Sequence, residues 1–406
     1  MEIPKYTTTS HFKTDFCVQM ANYVLLQEPL KTGSNLVISP LSIHVLLSLI
    51  ATGSKGRTLQ QLLFHLGSRN VEDLILRSSD MIAVALPAAA VDDERNNLTG
   101  GPTLSFINGA WIKEGLKMKS SFEEIVKEVY KAIAKEVDFE NKTDEVIDEI
   151  NSWAEKATKG LIKSLLPENC LEGIEEKTRL ILANALYFKG TWAQIFDVSG
   201  TQHRDFYLLN GQTVQVPFMT ISPALHLYNS FDGFKILKIP YRNGQDIRLF
   251  SMYFFLPDAA DGLRNLANRF YSIPGFFNQE YMLKHEDLTA HFWIPKFKFS
   301  FEFEASETLE KLGLDLPVSA IHAEITEMVD SPMRLVVAKM YHKSCIEINE
   351  EGTEAAASTA VIMIQQQSRY PIPSFVADHP FMFMIREEKS KVVFFLGAVL
   401  NPLSES

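Results

Sequence analysis

Glu350-Glu351-Gly352-Thr353-Glu354-Ala355-Ala356-Ala357-Ser358-Thr359-Ala360-Val361-Ile362-Met363-Ile364-Gln365-Gln366-Gln367-Ser368-Arg369-Tyr370-Pro371-Ile372-Pro373-Ser374 is the stretch on which the reading of this chain turns. Its first part, Gly352 to Ala360, holds only Gly, Ala, Ser, Thr and one Glu, so nothing there can anchor a core. Strand-like runs flank it: Met333 to Ile348 before, Phe381 to Ile385 and Val392 to Val399 after. A connection this long inside a compact domain is either functional or disordered, and composition alone leaves both open.

Outward from this stretch the chain divides in character. The first third is helical in pattern. Ser39-Pro40 opens an apolar run to Gly53, with Ser39 as N-cap and Pro40 as first helical residue. That run is apolar on nearly all sides, which predicts a buried helix. Thr58 to Leu66, Phe122 to Ala134 and Asp144 to Thr158 read as further helices. The remainder is strand-like: Leu104 to Ile112, Leu180 to Phe188, Leu249 to Leu256 and His291 to Phe301, several of them continuous apolar runs suited to strands buried on both faces. Helices first and strands later predict an α+β fold. No repeat or Pro/Gly/Ser linker divides the 406 residues, so one domain over 1–406 is expected.

Composition excludes several function classes. A net charge of -11 provides no global attraction to nucleic acid or an anionic membrane. No stretch of 18 uncharged apolar residues is present. Cys17, Cys170 and Cys345 are odd in number and far apart, which argues against a disulfide framework or a thiolate zinc site. His285 and His291 are six apart and cannot share a helix face as a zinc pair would. Ser39 and Ser42 lack the context of a nucleophile elbow. Catalytic residues, metal and cofactor are therefore expected to be none, and the chain is not expected to be an enzyme. Met1 to Phe16 lacks the apolar core of a secretory signal. This predicts cytoplasmic or nucleocytoplasmic residence, with an extracellular location only by a non-signal route. The lysines 113, 117, 119, 127, 131 and 135 are interleaved with glutamates and read as a solvated face.

The stretch from Asn349 to Ala357 resembles the hinge of an inhibitory serpin's reactive loop, and motifs along the whole chain agree. Val337-Ala338-Lys339-Met340-Tyr341-His342-Lys343-Ser344, Asp378-His379-Pro380-Phe381 and Phe395-Leu396-Gly397 with Asn401-Pro402 are similar to the family's late strands. Asn35 to Ser42, Ile150-Asn151-Ser152-Trp153, Asn184 to Trp192, Leu256-Pro257 and Ile294-Pro295-Lys296-Phe297 match upstream. The wording of Ser251 to Asp258 and Asn349 to Ala357 is most similar to the plant (serpin-Z-like) branch.

The resemblance implies three β-sheets, eight or nine helices and an exposed reactive-centre loop at about 350–374. It implies a suicide-substrate inhibitor and monomer, whose partner is a target endopeptidase held in a covalent complex. Serine endopeptidases are the implied class, with papain-like cysteine enzymes also admitted. The hinge would be Glu350, Glu351, Gly352, Thr353, Glu354, Ala355, Ala356 and Ala357. Family loop length places the reactive bond at Gln366-Gln367, with Arg369 as the alternative bait. Asn35, Ser39, Ser42, Asn184 and His342 would support the sheet where it opens.

The residue types suit an inserting strand, whose side chains alternate between core and solvent. Thr353, Ala355, Ala357 and Thr359 on the inward parity are small or uncharged, and Glu354 falls outward. No proline interrupts Gly352 to Gln367. A non-inhibitory serpin serving as storage protein, carrier or decoy substrate is the competing reading.

Overall fold

The computed structural model describes residues 15–27, 29–86, 101–174, 177–221, 225–244, 246–273, 275–288, 291–331, 335–352 and 373–405. In chain order the first half holds α1 (Asp15–Leu26), α2 (Pro29–Thr32), β1 (Leu36–Ile38), α3 (Pro40–Thr52), α4 (Gly56–Leu66), α5 (Val71–Ala85), β2 (Thr103–Lys113), α6 (Ser120–Glu128), β3 (Ala132–Val137), α7 (Thr143–Ala157) and β4 (Leu180–Lys189). There follow β5 (Gln202–Tyr207), β6 (Thr213–Met219), β7 (Leu225–Phe231), β8 (Phe234–Pro240), β9 (Phe250–Pro257), α8 (Leu263–Ser272), β10 (Lys284–Asp287), β11 (Phe292–Pro295), β12 (Phe297–Glu304) and α9 (Ser306–Lys311). The last strands are β13 (Lys339–Ile348), β14 (Phe375–Val376), β15 (Phe381–Glu387) and β16 (Val393–Val399).

Three sheets result: five strands in the order β12-β13-β4-β2-β3, seven in the order β1-β16-β15-β9-β8-β7-β10, and four in the order β14-β11-β6-β5. The α+β reading and the three-sheet expectation hold.

The α3 helix forms where expected. Ser39 is its N-cap, its side chain accepting from the Ser42 N–H, with Pro40 at the first helical position. All thirteen helical residues are buried. It touches β4 of the five-stranded sheet and β16 of the seven-stranded sheet, so an all-round apolar surface is what its position requires. Alternation along β4 then divides two cores. Leu180, Leu182, Leu186 and Phe188 face the α3 side, while Ile181, Ala183, Ala185 and Tyr187 pack with Val146, Ile147, Ile150 and Ala154 of α7.

Three expectations are corrected. The helix expected over Phe122 to Ala134 stops at Glu128. Lys131 takes a left-handed φ of 48°, and Ala132 onward pairs with β2 in parallel register, Asn108 opposite Ala132. Sheet pairing here overrides a helical apolar spacing. The run His291 to Phe301 is two strands in two sheets: β11 pairs β6, β12 pairs β13, and the chain changes sheet at Lys296. Among the described residues, the strand expected from Met333 begins at Lys339.

Candidate functional site: a hinge at the mouth of a parallel strand pair

Within the five-stranded sheet, β13 and β4 run parallel, in register from Lys339 opposite Ile181 to Cys345 opposite Tyr187. There their register ends, while β13 continues to pair with β12 as far as Ile348 opposite Phe297. The chain leaves β13 above this mouth through Asn349, Glu350, Glu351 and Gly352.

The exit is held by a specific set of bonds. The Trp192 indole Nε1 donates to the Asn349 carbonyl at 2.9 Å, and its backbone N–H donates to the Glu351 carbonyl at 3.1 Å. Phe196 N–H donates to the Glu350 carbonyl at 2.9 Å. Tyr241 stacks on Trp192 with centroids 4.4 Å apart. The Glu350 side chain is buried, with one carboxylate oxygen 2.7 Å from the Lys296 ammonium and the other accepting from Thr201 Oγ1 at 2.7 Å. Burial alone would raise this carboxyl, but the hydrogen bonds from Lys296 and Thr201 more than offset it and hold it below the usual value. Gly352 has φ +80°, and a Cβ there would stand 2.3 Å from the Gly190 carbonyl oxygen. Only glycine fits this bend.

A second group lies midway down the same strand pair, on the α3 side. His342 of β13 faces Asn184 of β4 in register, with its Nδ1 3.2 Å from the Asn184 Oδ1. His342 Nε2 accepts from the Ser39 N–H at 3.0 Å and lies 2.7 Å from Ser344 Oγ. A ring nitrogen that accepts from a backbone N–H carries no proton, so Nδ1 bears it and donates to Asn184. Asn184 Nδ2 donates in turn to the Ile107 carbonyl and to Asn108 Oδ1. Asn108 Nδ2 donates to the Tyr130 carbonyl, and the Tyr130 hydroxyl meets Thr52 Oγ1 at 2.9 Å. The circuit starts and ends on α3 and crosses β13, β4 and β2. Burial lowers the His342 pKa to about 3, keeping it neutral.

The structure thus brings together Ser39, Asn184 and His342. Ser42 is adjacent through its backbone, but its hydroxyl is buried without a partner among the described residues. Asn35 stands apart: its amide accepts from Leu400 and Asn401 N–H and donates to the Asn401 and Ser404 carbonyls, tying β1 to the end of the chain. Glu350, Glu351 and Gly352 sit at the mouth. Thr353, Glu354, Ala355, Ala356, Ala357, Gln366, Gln367 and Arg369 lie outside the described residues. Sequence reading did not single out Lys296, Thr201, Asn108, Ser344 or Trp192 as site residues. Lys296 and Trp192 fall inside recognised motifs, but no local pattern signals their partners. The lysine-rich face is paired as expected of a solvated surface: Lys113, Lys119, Lys127, Lys131 and Lys135 each reach a glutamate.

Comparison with known proteins matches residues 11–402 to the family model described as Serpin (serine protease inhibitor). The chain belongs to the serpin family. Its relatives include Serpin-ZX of Arabidopsis thaliana, 46% identical over 91% of this serpin and 93% of the relative, and Serpin-Z1C of Triticum aestivum, 44% identical over 97% and 96%. They are plant Z-type serpins, as the wording of the sequence suggested. The solved structure of Arabidopsis AtSerpin1 in its native stressed conformation superposes with a TM-score of 0.87 at 43% identity, covering 98% of both chains. Uncleaved ovalbumin, 21% identical with a TM-score of 0.78, shares the fold.

Proposed function

We propose that this serpin inhibits an endopeptidase as a suicide substrate. The enzyme attacks the loop, the serine forms an acyl bond to the new carboxyl end, and the cut loop enters between β13 and β4. The observation that carries this is the parallel pair itself. A chain turning back after Ile348 and descending between these strands would be antiparallel to both. One parallel pairing would become two antiparallel ones, joined to β13 by a short turn. Serpin loop insertion is a recognised case of strand addition. With a net ~1 kcal/mol for each of roughly a dozen new backbone hydrogen bonds, insertion gains on the order of 10 kcal/mol before apolar burial. The His342–Asn184 contact spans the gap and must open for the strand to pass.

Gln366-Gln367 is the bond proposed to be cut, with Arg369 as alternative bait. In this reading the protein is consumed rather than catalytic, and the inward parity Thr353, Ala355, Ala357 and Thr359 is what the slot receives. Incubation with chymotrypsin-like, Arg-specific and papain-like enzymes tests it. A serine enzyme should yield an SDS-stable complex, and Thr359→Arg should convert inhibitor into substrate. Loop cleavage without lost enzyme activity and without gain in thermal stability would sink the inhibitory reading in favour of the storage or decoy one.

A further inference from the structure

The four-stranded sheet receives the chain as it returns from the loop. Phe375 N–H donates to the His291 carbonyl at 2.8 Å, and β14 pairs in parallel with β11. Just beyond, the Asp378 carbonyl accepts from Tyr207 N–H at 2.8 Å at the end of β5. Between them lies an open groove of about 370 Å³ lined by His203, Arg204, Asp205, Tyr207, Gln215, Val376 and Asp378.

The charges in this groove are not equivalent. Asp205 accepts a hydrogen bond from the Gln215 amide. Asp378 is held by His379 Nδ1 at 2.7 Å, and His379 Nε2 meets the Pro257 carbonyl at 2.8 Å. Both carboxylates are therefore already engaged. The Arg204 guanidinium lies 4.3 Å from the centroid of the Trp293 ring, and among the described residues it has no carboxylate or hydrogen-bond partner. Stacking on tryptophan fixes the guanidinium and leaves its edge donors available. In a chain of net charge -11 with many lysines already paired, this is a preorganised and unspent cation.

Its position identifies what it meets. Phe375 is eight residues after Gln367, at most about 29 Å of extended chain. An enzyme of ~200 residues is ~40 Å across, so one engaging that bond stands over this sheet. We infer that the groove is a second contact surface for the target endopeptidase, in which Arg204 takes an aspartate or glutamate side chain from beside the enzyme's cleft. This rests on the inhibitory reading above. Such a rim charge acts chiefly on the association rate and its salt dependence.

The test uses whichever serine endopeptidase forms the SDS-stable complex fastest. Arg204→Glu should lower the second-order rate constant by about tenfold at low salt, and Arg204→Ala by about threefold. The fall of rate with added NaCl should be shallower in both variants, with stoichiometry of inhibition and urea midpoint unchanged. Lys127→Glu, which makes the same charge change on a helix elsewhere in the fold, should leave the rate within twofold. Equal rates and parallel salt dependence for wild type and Arg204→Glu would overturn the inference, as would an equal loss in Lys127→Glu. Absence of any complex, with every enzyme class, would remove the inhibitory reading and this inference with it.

Discussion

The Glu350 carboxylate lies 2.7 Å from the Lys296 ammonium, and this pair joins the residue two before the hinge glycine to the short link between β11 and β12. Glu350→Gln weakens the ionic bond and keeps the shape. Because the glutamate is buried and the lysine side chain is 35% exposed, the expected cost is about 1–3 kcal/mol, below that of a fully buried pair. Glu350→Lys sets two ammonium groups against each other and should cost more. The urea midpoint of the uncut protein should therefore fall for both variants at pH 7, and further for Glu350→Lys than for Glu350→Gln. The folded carboxyl titrates below its ordinary value of 4.5, so this contribution is full above pH 4.5 and is lost as pH falls through the folded value.

Three buried histidines dominate the milder acid range. His342 is lowered to about 3, and His44 and His226 to about 4, in each case chiefly by burial. The fold takes them neutral while the unfolded chain protonates near 6.5. Stability is therefore full above pH 6.5 and falls as pH drops toward 4, by up to about 1.4 kcal/mol per pH unit for each histidine. His342 and His44 part company on mutation. Both ring nitrogens of His44 are buried without a partner among the described residues. His44→Leu should change the urea midpoint little at pH 7.5 and raise stability by about 1–2 kcal/mol at pH 5. His342→Leu strands Ser39 N–H, Ser344 Oγ and Asn184 Oδ1, and should cost about 2–4 kcal/mol at pH 7.5. A loss above 2 kcal/mol for His44→Leu at both pH values would show that its ring is hydrogen-bonded after all.

What could be read from the sequence was what depends on neighbours in the chain. The α3 helix was legible because cap, proline and apolar run sit side by side. The α6–β3 boundary was not, because Val129, Tyr130 and Ile133 keep helical spacing while Ala132 to Val137 find β2 across the sheet. Lys296 was hidden for the same reason: one apolar run crosses two sheets, and the residue at the crossing pairs with a carboxylate 54 positions later (350 − 296). The hinge was legible as composition, since freedom from bulk and proline is local. Its latch was not, because Trp192, Thr201 and Lys296 come from three separate segments.

Asn35 carries a load that its motif did not reveal. It is buried and makes four hydrogen bonds of 2.8–3.0 Å to residues 400–404. These secure β1, an edge strand of three residues that pairs Leu36 with Ala398. Asn35→Ala leaves the Leu400 and Asn401 N–H groups without their acceptor, at an expected cost of about 2–4 kcal/mol. Asn35→Asp keeps those two bonds but sets a carboxylate against the Asn401 and Ser404 carbonyls. It should be no better than alanine at pH 7 and should recover part of the loss at pH 4, as read from urea midpoints.

Gly352→Ala separates the uncut state from the inserted one. In the uncut chain an alanine Cβ meets the Gly190 carbonyl oxygen at 2.3 Å, Trp192 N at 2.6 Å and Thr191 Cα at 2.8 Å. All three are backbone atoms, and they cannot retreat without breaking the Trp192 N–H bond to Glu351. The left-handed φ adds about 1–2 kcal/mol for a residue with a Cβ. Under the proposed insertion this residue would leave the bend for the start of an extended strand, where alanine carries no such penalty. The substitution should therefore lower the denaturant midpoint of the uncut protein by more than about 2 kcal/mol in equivalent stability, and leave that of the cleaved protein within about 0.5 kcal/mol of wild type. Denaturation curves before and after complete cleavage of the loop compare the two directly. An equal drop in both forms would mean that Gly352 keeps its left-handed bend after cleavage, so that the inserted strand does not begin at this residue.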